Sequence, residues 1–244
     1  MSTARTLPLP RTARLLTPLS PLHRRPFNPR RSFITLPETP PQTLTAARRL
    51  PYNHAQLYDL IADVDSYVRF LPYCKVSRVT HWTPTADANN RRWPTRADLT
   101  AGWGGFEETY TSRLFCVPSL GIVEAISGDA RTEIPAAELR KHGLADPGPG
   151  SSSVGGGGGG GDGVFKSLVT RWTVSPVEGA TRADRFQHDW SDVRLSIKYQ
   201  FANPLYMAVS SAVADKVAPI MVEAFVEQAR RILGETGKNV EVVR

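Results

Sequence analysis

The chain has 244 residues, of which 41% are hydrophobic and 22% charged, so it is long enough to bury a substantial core. Its net charge of +7 is placed unevenly, because seven of the 30 Lys and Arg residues, and none of the 23 Asp and Glu residues, precede residue 37. The remaining 23 basic residues balance the 23 acidic ones. That balance excludes a strongly basic folded surface of the kind that binds a phosphate backbone, and we expect no nucleic-acid partner.

The first 36 residues have the composition of a mitochondrial transit peptide, being rich in Arg, Ser, Thr, Leu and Pro and free of acid. Within them, RSFI at 31–34 is similar to the arginine-directed processing sites of matrix proteins. A plain basic tail without import function is the alternative. We predict that residues 1–36 are disordered and direct the chain to the mitochondrion.

Several common kinds of functional site find no support in the sequence. The two cysteines, Cys74 and Cys116, lie in apolar surroundings without CxxC spacing, which predicts two buried free thiols in a reducing compartment. The five histidines lack metal-ligand spacing, and the nucleotide-binding and GxSxG fingerprints are incomplete or missing. We therefore expect no metal and no catalytic residue. No apolar run reaches the roughly 18 residues of a membrane-spanning helix, so any membrane contact would be peripheral.

The first half of the chain predicts one strand, two short helices and a run of strands. A strand at 43–50 leads through Pro51 to a helix that Asn53 caps and that ends near Asp63, and a second short helix follows at 65–70. Alternation of apolar and polar residues then predicts strands at 73–82, 94–103, 106–117 and 120–127. Their short connections indicate an antiparallel meander.

Residues 129–163 break this rhythm and contain PGPGSSSVGGGGGGGDG. A run of seven glycines is too free to pack, so we predict a disordered insertion with at most one helical turn near 136–142. A sixth strand is predicted at 164–176. The seventh, at 193–201, alternates apolar Val193, Leu195, Ile197, Tyr199 and Phe201 with polar residues, as a half-buried strand does.

After Asn203 and Pro204 the apolar period becomes helical and predicts one long helix over 205–233. Pro219 removes the hydrogen bond to the Asp215 carbonyl inside this helix and favours a kink. The span before it, 205–218, is small or apolar, and we predict that it gates a ligand. The span after it, 220–233, is amphipathic and is predicted to anchor the helix.

These elements predict an α+β helix-grip fold, in which a curved antiparallel sheet of about six to seven strands surrounds the long C-terminal helix. The expected layout is one domain over 43–233, interrupted by the insertion at 129–163 and followed by a tail at 234–244. One helix cannot fill the concave face of such a sheet. An apolar pocket between the sheet and the helix is therefore the expected ligand site.

Six groups of residues along the chain form a recognisable pattern. They are FLPYC at 70–74 with Tyr67 before it, AGW at 101–103, ETYTSR at 108–113, Phe165 with Leu168 and Trp172, FANPL at 201–205 and MVEAF at 221–225. Together they resemble the coenzyme Q-binding proteins of the polyketide cyclase/START superfamily. The resemblance covers 43–233 apart from the insertion and implies a START-like fold. The sequence departs from the family pattern at the insertion and at Trp103, where a smaller aromatic residue is usual.

The resemblance implies a non-catalytic carrier or chaperone that binds ubiquinone, an isoprenoid lipid, and supports respiratory electron transport and coenzyme Q biosynthesis. Ubiquinone would be the bound ligand, with no separate cofactor. The implied location is the matrix side of the mitochondrial inner membrane, in peripheral contact with it. Respiratory complexes or proteins of coenzyme Q biosynthesis are the implied partners.

We expect the ligand to meet residues of the cavity, of its mouth and of the gating span. These are Phe70, Leu71, Pro72, Tyr73, Trp103, Phe106, Glu108, Tyr110, Trp172, Leu195, Ile197, Tyr199, Met207, Val213, Val217 and Met221. Two points stay open from the residues alone. The apolar segment 67–73 forms either the mouth or a packing contact of the short helices. Glu108 is either a polar contact inside the cavity or the partner of a cross-strand Arg or Lys, and we expect the ion pair.

Two other functions are compatible with the same fold. One is a cyclase-like enzyme acting on an aromatic or polyketide intermediate in the cavity, for which only Glu108 and Tyr110 offer an acid and a base. Glu107 cannot pair with Glu108 in this role, because adjacent strand residues point to opposite faces. The other is an interaction module like the bacterial relatives proposed to act on ribosomes, which the balanced charge of the body disfavours.

Overall fold

The computed structural model describes residues 40–103, 106–146, 164–177, 190–203 and 205–234. Within these ranges the side chains of Trp103, Phe106 and Leu205 and those at 207–214 are not described. The predicted transit peptide and nearly all of the predicted C-terminal tail lie outside the described residues.

Seven strands form one antiparallel sheet in the order β1-β7-β6-β5-β4-β3-β2. They are β1 (Gln42–Leu50), β2 (Cys74–Trp82), β3 (Pro94–Trp103), β4 (Phe106–Val117), β5 (Ile122–Gly128), β6 (Phe165–Pro176) and β7 (Ser191–Phe201). Strands β2 to β7 are a meander in which each strand pairs with the next along the chain. β1 pairs with β7, so the first strand lies beside the last. With the long C-terminal helix against its inner face, this sheet confirms the predicted helix-grip fold.

The two short helices after β1 follow the predicted local signals. The helix α1 (His54–Ala62) begins after Asn53, whose side-chain oxygen accepts a hydrogen bond from the Ala55 N–H (2.8 Å). The second segment, Val64–Arg69, is a 3₁₀ helix. Tyr67 in this segment is buried, and its hydroxyl donates to the Ile61 carbonyl, which fixes the 3₁₀ helix to the end of α1.

Part of the predicted disordered insertion is instead ordered on the outer face of the sheet. Residues 129–146 contain the helix α2 (Ala136–Lys141), at the position of the predicted helical turn. Six side chains form a separate buried cluster there, namely Phe115, Val117, Ile126, Ile134, Leu139 and Leu144. The prediction was wrong for this part because three well-spaced apolar residues suffice to hold it against β4 and β5. The remaining part, 147–163, lies outside the described residues.

A buried ion pair holds this covering segment, residues 129–146, to the sheet. The guanidinium of Arg113 on β4 pairs with the carboxylate of Asp146, and their side chains are only 9% and 11% exposed. Arg113 also donates to the Ala130 carbonyl (2.5 Å), and Asp146 accepts from the Thr132 N–H (3.2 Å). Both charges thus have further polar partners, as buried charges require.

The helix α3 (Leu205–Leu233) runs unbroken through Pro219. Its C-terminal half supplies core side chains, with Val222, Phe225 and Ala229 almost fully buried. The ring of Phe225 packs against Trp172 of β6 with ring centroids 5.4 Å apart. This packing is the anchoring that the amphipathic pattern predicts for the second span. None of the helices in the described ranges is both long and apolar enough to span a membrane.

Candidate functional site

A cavity of about 570 Å³ lies between the inner face of the sheet, the 3₁₀ segment 64–69 and α3. Its walls are mainly aliphatic and aromatic side chains, contributed by every strand and by α3. The volume is within the range of sites that enclose drug-sized ligands. A cavity is therefore present between the sheet and the helix, where the sequence predicts the ligand site.

Ten of the sixteen predicted ligand-binding residues line this cavity. They are Leu71, Pro72, Tyr73, Glu108, Tyr110, Trp172, Ile197, Tyr199, Val217 and Met221. Their contact with a ligand stays a prediction. The side chains of Trp103, Phe106, Met207 and Val213 lie outside the described residues.

Phe70 and Leu195 are placed elsewhere, in contrast to the prediction. The ring of Phe70 packs on Tyr67 and Phe225, with centroids 5.7 and 6.4 Å away, and so belongs to the packing of the short helices. Leu195 has no exposed surface and is part of the hydrophobic core. The apolar segment 67–73 therefore divides, with Phe70 partly buried and packed against the core and Leu71, Pro72 and Tyr73 at the cavity.

Sequence reasoning missed a band of hydroxyl groups inside the cavity. Ser112 on β4 and Ser127 on β5 are directly opposite in the sheet, and their hydroxyl oxygens are 2.8 Å apart. Thr170 on β6 also lines the cavity. The period of two along β4 contains the signal, since Ser112 comes two residues after Tyr110 and must share its face.

The strand register places two ends of the cavity along β4. One end is at Glu108, which is opposite Ala101 of β3. The other end is at Trp172, which is opposite Val123 of β5, itself the partner of Cys116 on β4. The eight residue-to-residue steps from Glu108 to Cys116 span about 27 Å along the strand. We refer to these as the Glu108 end and the Trp172 end.

The Glu108 end is the more open of the two. Tyr73 lines it and is 36% exposed, and its backbone is in the left-handed region at φ 66°, which is uncommon for a residue with a side chain. The N–H of Gly102 donates to the Tyr73 carbonyl (2.9 Å) and holds this conformation. Lys75 and Glu107 form a half-exposed ion pair across Gly102, where a Cβ atom would lie 2.6 Å from the Lys75 side chain.

Glu108 is a polar contact at the cavity, and the expected ion pair with an Arg or Lys is wrong. Its Oε1 accepts a hydrogen bond from the Val164 N–H (2.8 Å), and no described Arg or Lys pairs with it. Its Oε2 is buried without a hydrogen-bond partner among the residues described. Burial raises the pKa of this carboxyl group, and the hydrogen bond from Val164 opposes that rise.

Two further polar groups at the cavity lack partners within the described ranges. The indole Nε1 of Trp172, a side chain that is 3% exposed, makes no hydrogen bond there. The hydroxyl of Tyr110 makes none either, and burial raises its pKa, so it remains a neutral phenol. The thiol of Cys74 also lines the cavity and donates to the Val76 carbonyl (3.5 Å). It is only half-buried, whereas full burial was expected. Burial raises its pKa, which keeps it protonated.

This arrangement can enclose a long apolar molecule and offer hydrogen bonds to a polar group at either end. Across the described ranges no three His, Cys, Asp or Glu side chains converge as metal ligands. A curved sheet that grips one helix around such a cavity defines the class of helix-grip proteins that bind lipids and other apolar small molecules.

The chain belongs to the family described as polyketide cyclase / dehydrase and lipid transport, which it matches over residues 50–132 and 161–226. It is 28% identical over 186 residues to the coenzyme Q-binding protein coq10, mitochondrial, of Schizosaccharomyces pombe, covering 76% of this chain and 85% of that protein. The coenzyme Q-binding protein COQ10, mitochondrial, of Eremothecium gossypii is 27% identical over 169 residues, which are 69% of this chain and 63% of that one. The ribosome association toxin RatA of Pseudomonas aeruginosa is 25% identical over 185 residues, covering 76% and 93%.

Proposed function

We propose that this protein binds ubiquinone in the cavity and carries or chaperones it, without catalysis, in support of respiratory electron transport and coenzyme Q biosynthesis. The observation that carries the proposal is an apolar cavity of about 570 Å³ in a chain whose relatives are named coenzyme Q-binding proteins. The ten predicted residues that line the cavity are its proposed ligand contacts.

The physical chemistry of the cavity suits an isoprenoid lipid with a polar head. Each CH₂ group of the tail that leaves water contributes about 0.8 kcal/mol, so apolar walls alone support tight binding. The ring needs only one or two hydrogen bonds to be held in place. The donors available for them are the Tyr110 hydroxyl at the Glu108 end and the indole N–H of Trp172 at the other end.

The proposed location is the mitochondrion, at the matrix side of the inner membrane. The two relatives named as coenzyme Q-binding proteins are also named as mitochondrial, and the acid-free first 36 residues fit import. Exposed apolar residues close to the Glu108 end, Val68, Tyr73 and Val76, suit a peripheral contact with the membrane. Respiratory complexes or proteins of coenzyme Q biosynthesis are the proposed recipients.

The direct test is to purify the full chain from its native source, extract it with organic solvent and identify the lipid by mass spectrometry. We expect a ubiquinone in an amount comparable with the protein. Recovery of neither a quinone nor another isoprenoid would contradict the proposal.

Pro219 provides a prediction about ligand exchange. It lies between Val217 and Met221, which both line the cavity, and it withholds a hydrogen bond from the Asp215 carbonyl. Pro219→Ala restores that bond and stiffens the part of α3 that borders the ligand. We expect quinone exchange between the protein and vesicles to slow several-fold, with a smaller effect on thermal unfolding. A large shift in the unfolding temperature with unchanged quinone exchange would contradict the prediction that the span 205–218 gates the ligand.

A cyclase-like enzyme is the second candidate, because Glu108 and Tyr110 are two residues apart on one face of β4 and both line the cavity. Burial raises the pKa of both groups, so each keeps its proton to a higher pH than it would in water. The two functions differ in what happens to the ligand. A carrier returns the lipid unchanged after incubation, whereas an enzyme releases a product of altered mass or ring structure.

A further inference from the structure

The carboxyl group of Glu108 is satisfied by the protein on one oxygen only. Oε1 accepts from the Val164 N–H (2.8 Å), whereas Oε2 is buried and has no partner in the part of the chain that the structure describes. The carboxyl group borders the cavity. Leaving a buried carboxylate oxygen without a donor is costly, so an occupant of the cavity that brings a donor to Oε2 is favoured over one that does not.

The two oxidation states of a quinone ligand differ in this respect. A quinone ring carries carbonyl oxygens, which only accept hydrogen bonds, and an ionised carboxylate also only accepts. A hydroquinone carries hydroxyl groups in the same positions, and these donate. A hydroxyl donating to a carboxylate is a short, charge-assisted hydrogen bond, about twice as strong as a neutral one.

We propose that Glu108 makes this cavity selective for the reduced, hydroquinone form of its ligand over the quinone form. This inference rests on the proposed function and adds to it the oxidation state that is bound. A ring hydroxyl donates to Oε2, and the ring lies at the Glu108 end with its tail directed toward Trp172. The step is binding alone, and no electron or proton changes place.

Among the described titratable groups that line this end of the cavity, Glu108 is the one that can carry a negative charge and accept a hydrogen bond from the ligand. Tyr110 on β4 and Cys74 on β2 also line the cavity, and burial raises the pKa of both, so they stay neutral. Glu107 lines the same end of the cavity, but its carboxylate forms an ion pair with Lys75. Because burial raises the pKa of Glu108, the preference should be present in mildly alkaline buffer, where the group is ionised, and weaken as the pH falls through its pKa.

The experiment compares the affinities of a decyl-substituted benzoquinone and its hydroquinone for the full chain, with the hydroquinone kept under argon. Quenching of tryptophan fluorescence in mildly alkaline buffer reports binding. We expect the hydroquinone to bind at least about tenfold more tightly, the effect of one hydrogen bond to a charged group. In Glu108→Gln the amide can still accept from Val164 and now donates at the second position, so the preference should vanish or reverse. Glu227→Gln on α3, at a side chain that is 69% exposed and does not line the cavity, is the matched control and should keep the wild-type ratio.

Equal affinity for the two forms in the wild type, or tighter binding of the quinone, would overturn the selectivity and leave ubiquinone binding intact. An unchanged ratio in Glu108→Gln would overturn the role of this residue. Binding of neither form would overturn the proposed function together with this inference. The wild-type ratio decides the question by itself where the variant does not fold.

Discussion

Replacing Arg113 by alanine is expected to lower the free energy of unfolding by about 3–5 kcal/mol, because it leaves the buried Asp146 carboxylate without its counter-charge. The change also removes the donor to the Ala130 carbonyl, so the covering segment loses two attachments to β4. Urea denaturation of the purified chain, followed by circular dichroism, measures the effect.

The matched control for this experiment is Arg78→Ala. Arg78 on β2 also pairs with a carboxylate, that of Asp98, but its side chain is 72% exposed, and such pairs contribute at most about 1 kcal/mol. Asp146→Ala should destabilise as Arg113→Ala does, and the double variant should fall well short of the sum, because both single changes break the same interaction. Equal stabilities of Arg113→Ala and Arg78→Ala would refute the importance of the buried pair.

The second large effect concerns the cavity itself, which Ala125→Trp should fill. Ala125 on β5 faces the cavity, opposite Leu114 of β4 and Thr170 of β6, and is two residues along the strand from Val123 at the Trp172 end. An indole there takes space that a lipid tail needs. Excluding only two CH₂ groups, at about 0.8 kcal/mol each, lowers the affinity about tenfold, and a full indole excludes more.

We therefore expect Ala125→Trp to lose at least nine-tenths of its bound quinone, roughly a tenfold decrease, with an unfolding midpoint close to that of the wild type because the cavity has room for the ring. Ala47→Trp, which adds the same side chain at an exposed site on β1, should keep its lipid. Mass spectrometry of extracts from the three proteins measures the content. Full quinone content in Ala125→Trp would place the ligand outside this cavity.

Local periodicity predicted the elements well because it reports which face of a strand or helix is apolar. The alternation in β7 and the change of period at Asn203 were enough to predict the last strand and α3. Periodicity does not say what covers an apolar face. Leu195 and Ile197 share one face of β7, yet only Ile197 borders the cavity, while Leu195 is enclosed in the core.

The features that could not be predicted depend on contacts between distant parts of the chain. The partner of Glu108 is the backbone N–H of Val164, 56 residues later and beyond the insertion, and a backbone donor leaves no trace in the sequence. The covering segment was missed for a different reason. The composition of residues 129–163 as a whole is dominated by the glycines, which hides the few apolar residues at its start. Those residues pack against the outer face of β4, which is apolar because it carries Phe115 and Val117.

Because of the covering segment, the walls of the cavity differ in thickness. Beside Ala125 a ligand is separated from water by the sheet and by a second buried layer outside it, whereas beside Tyr73 a single half-exposed side chain stands between ligand and solvent. Passage through β4 and β5 is therefore closed, and the side at Tyr73 is the thinner barrier between ligand and solvent. A ligand that leaves past Tyr73 must draw its whole tail along the cavity, so each added isoprene unit lengthens that path even where it adds no contact with the protein.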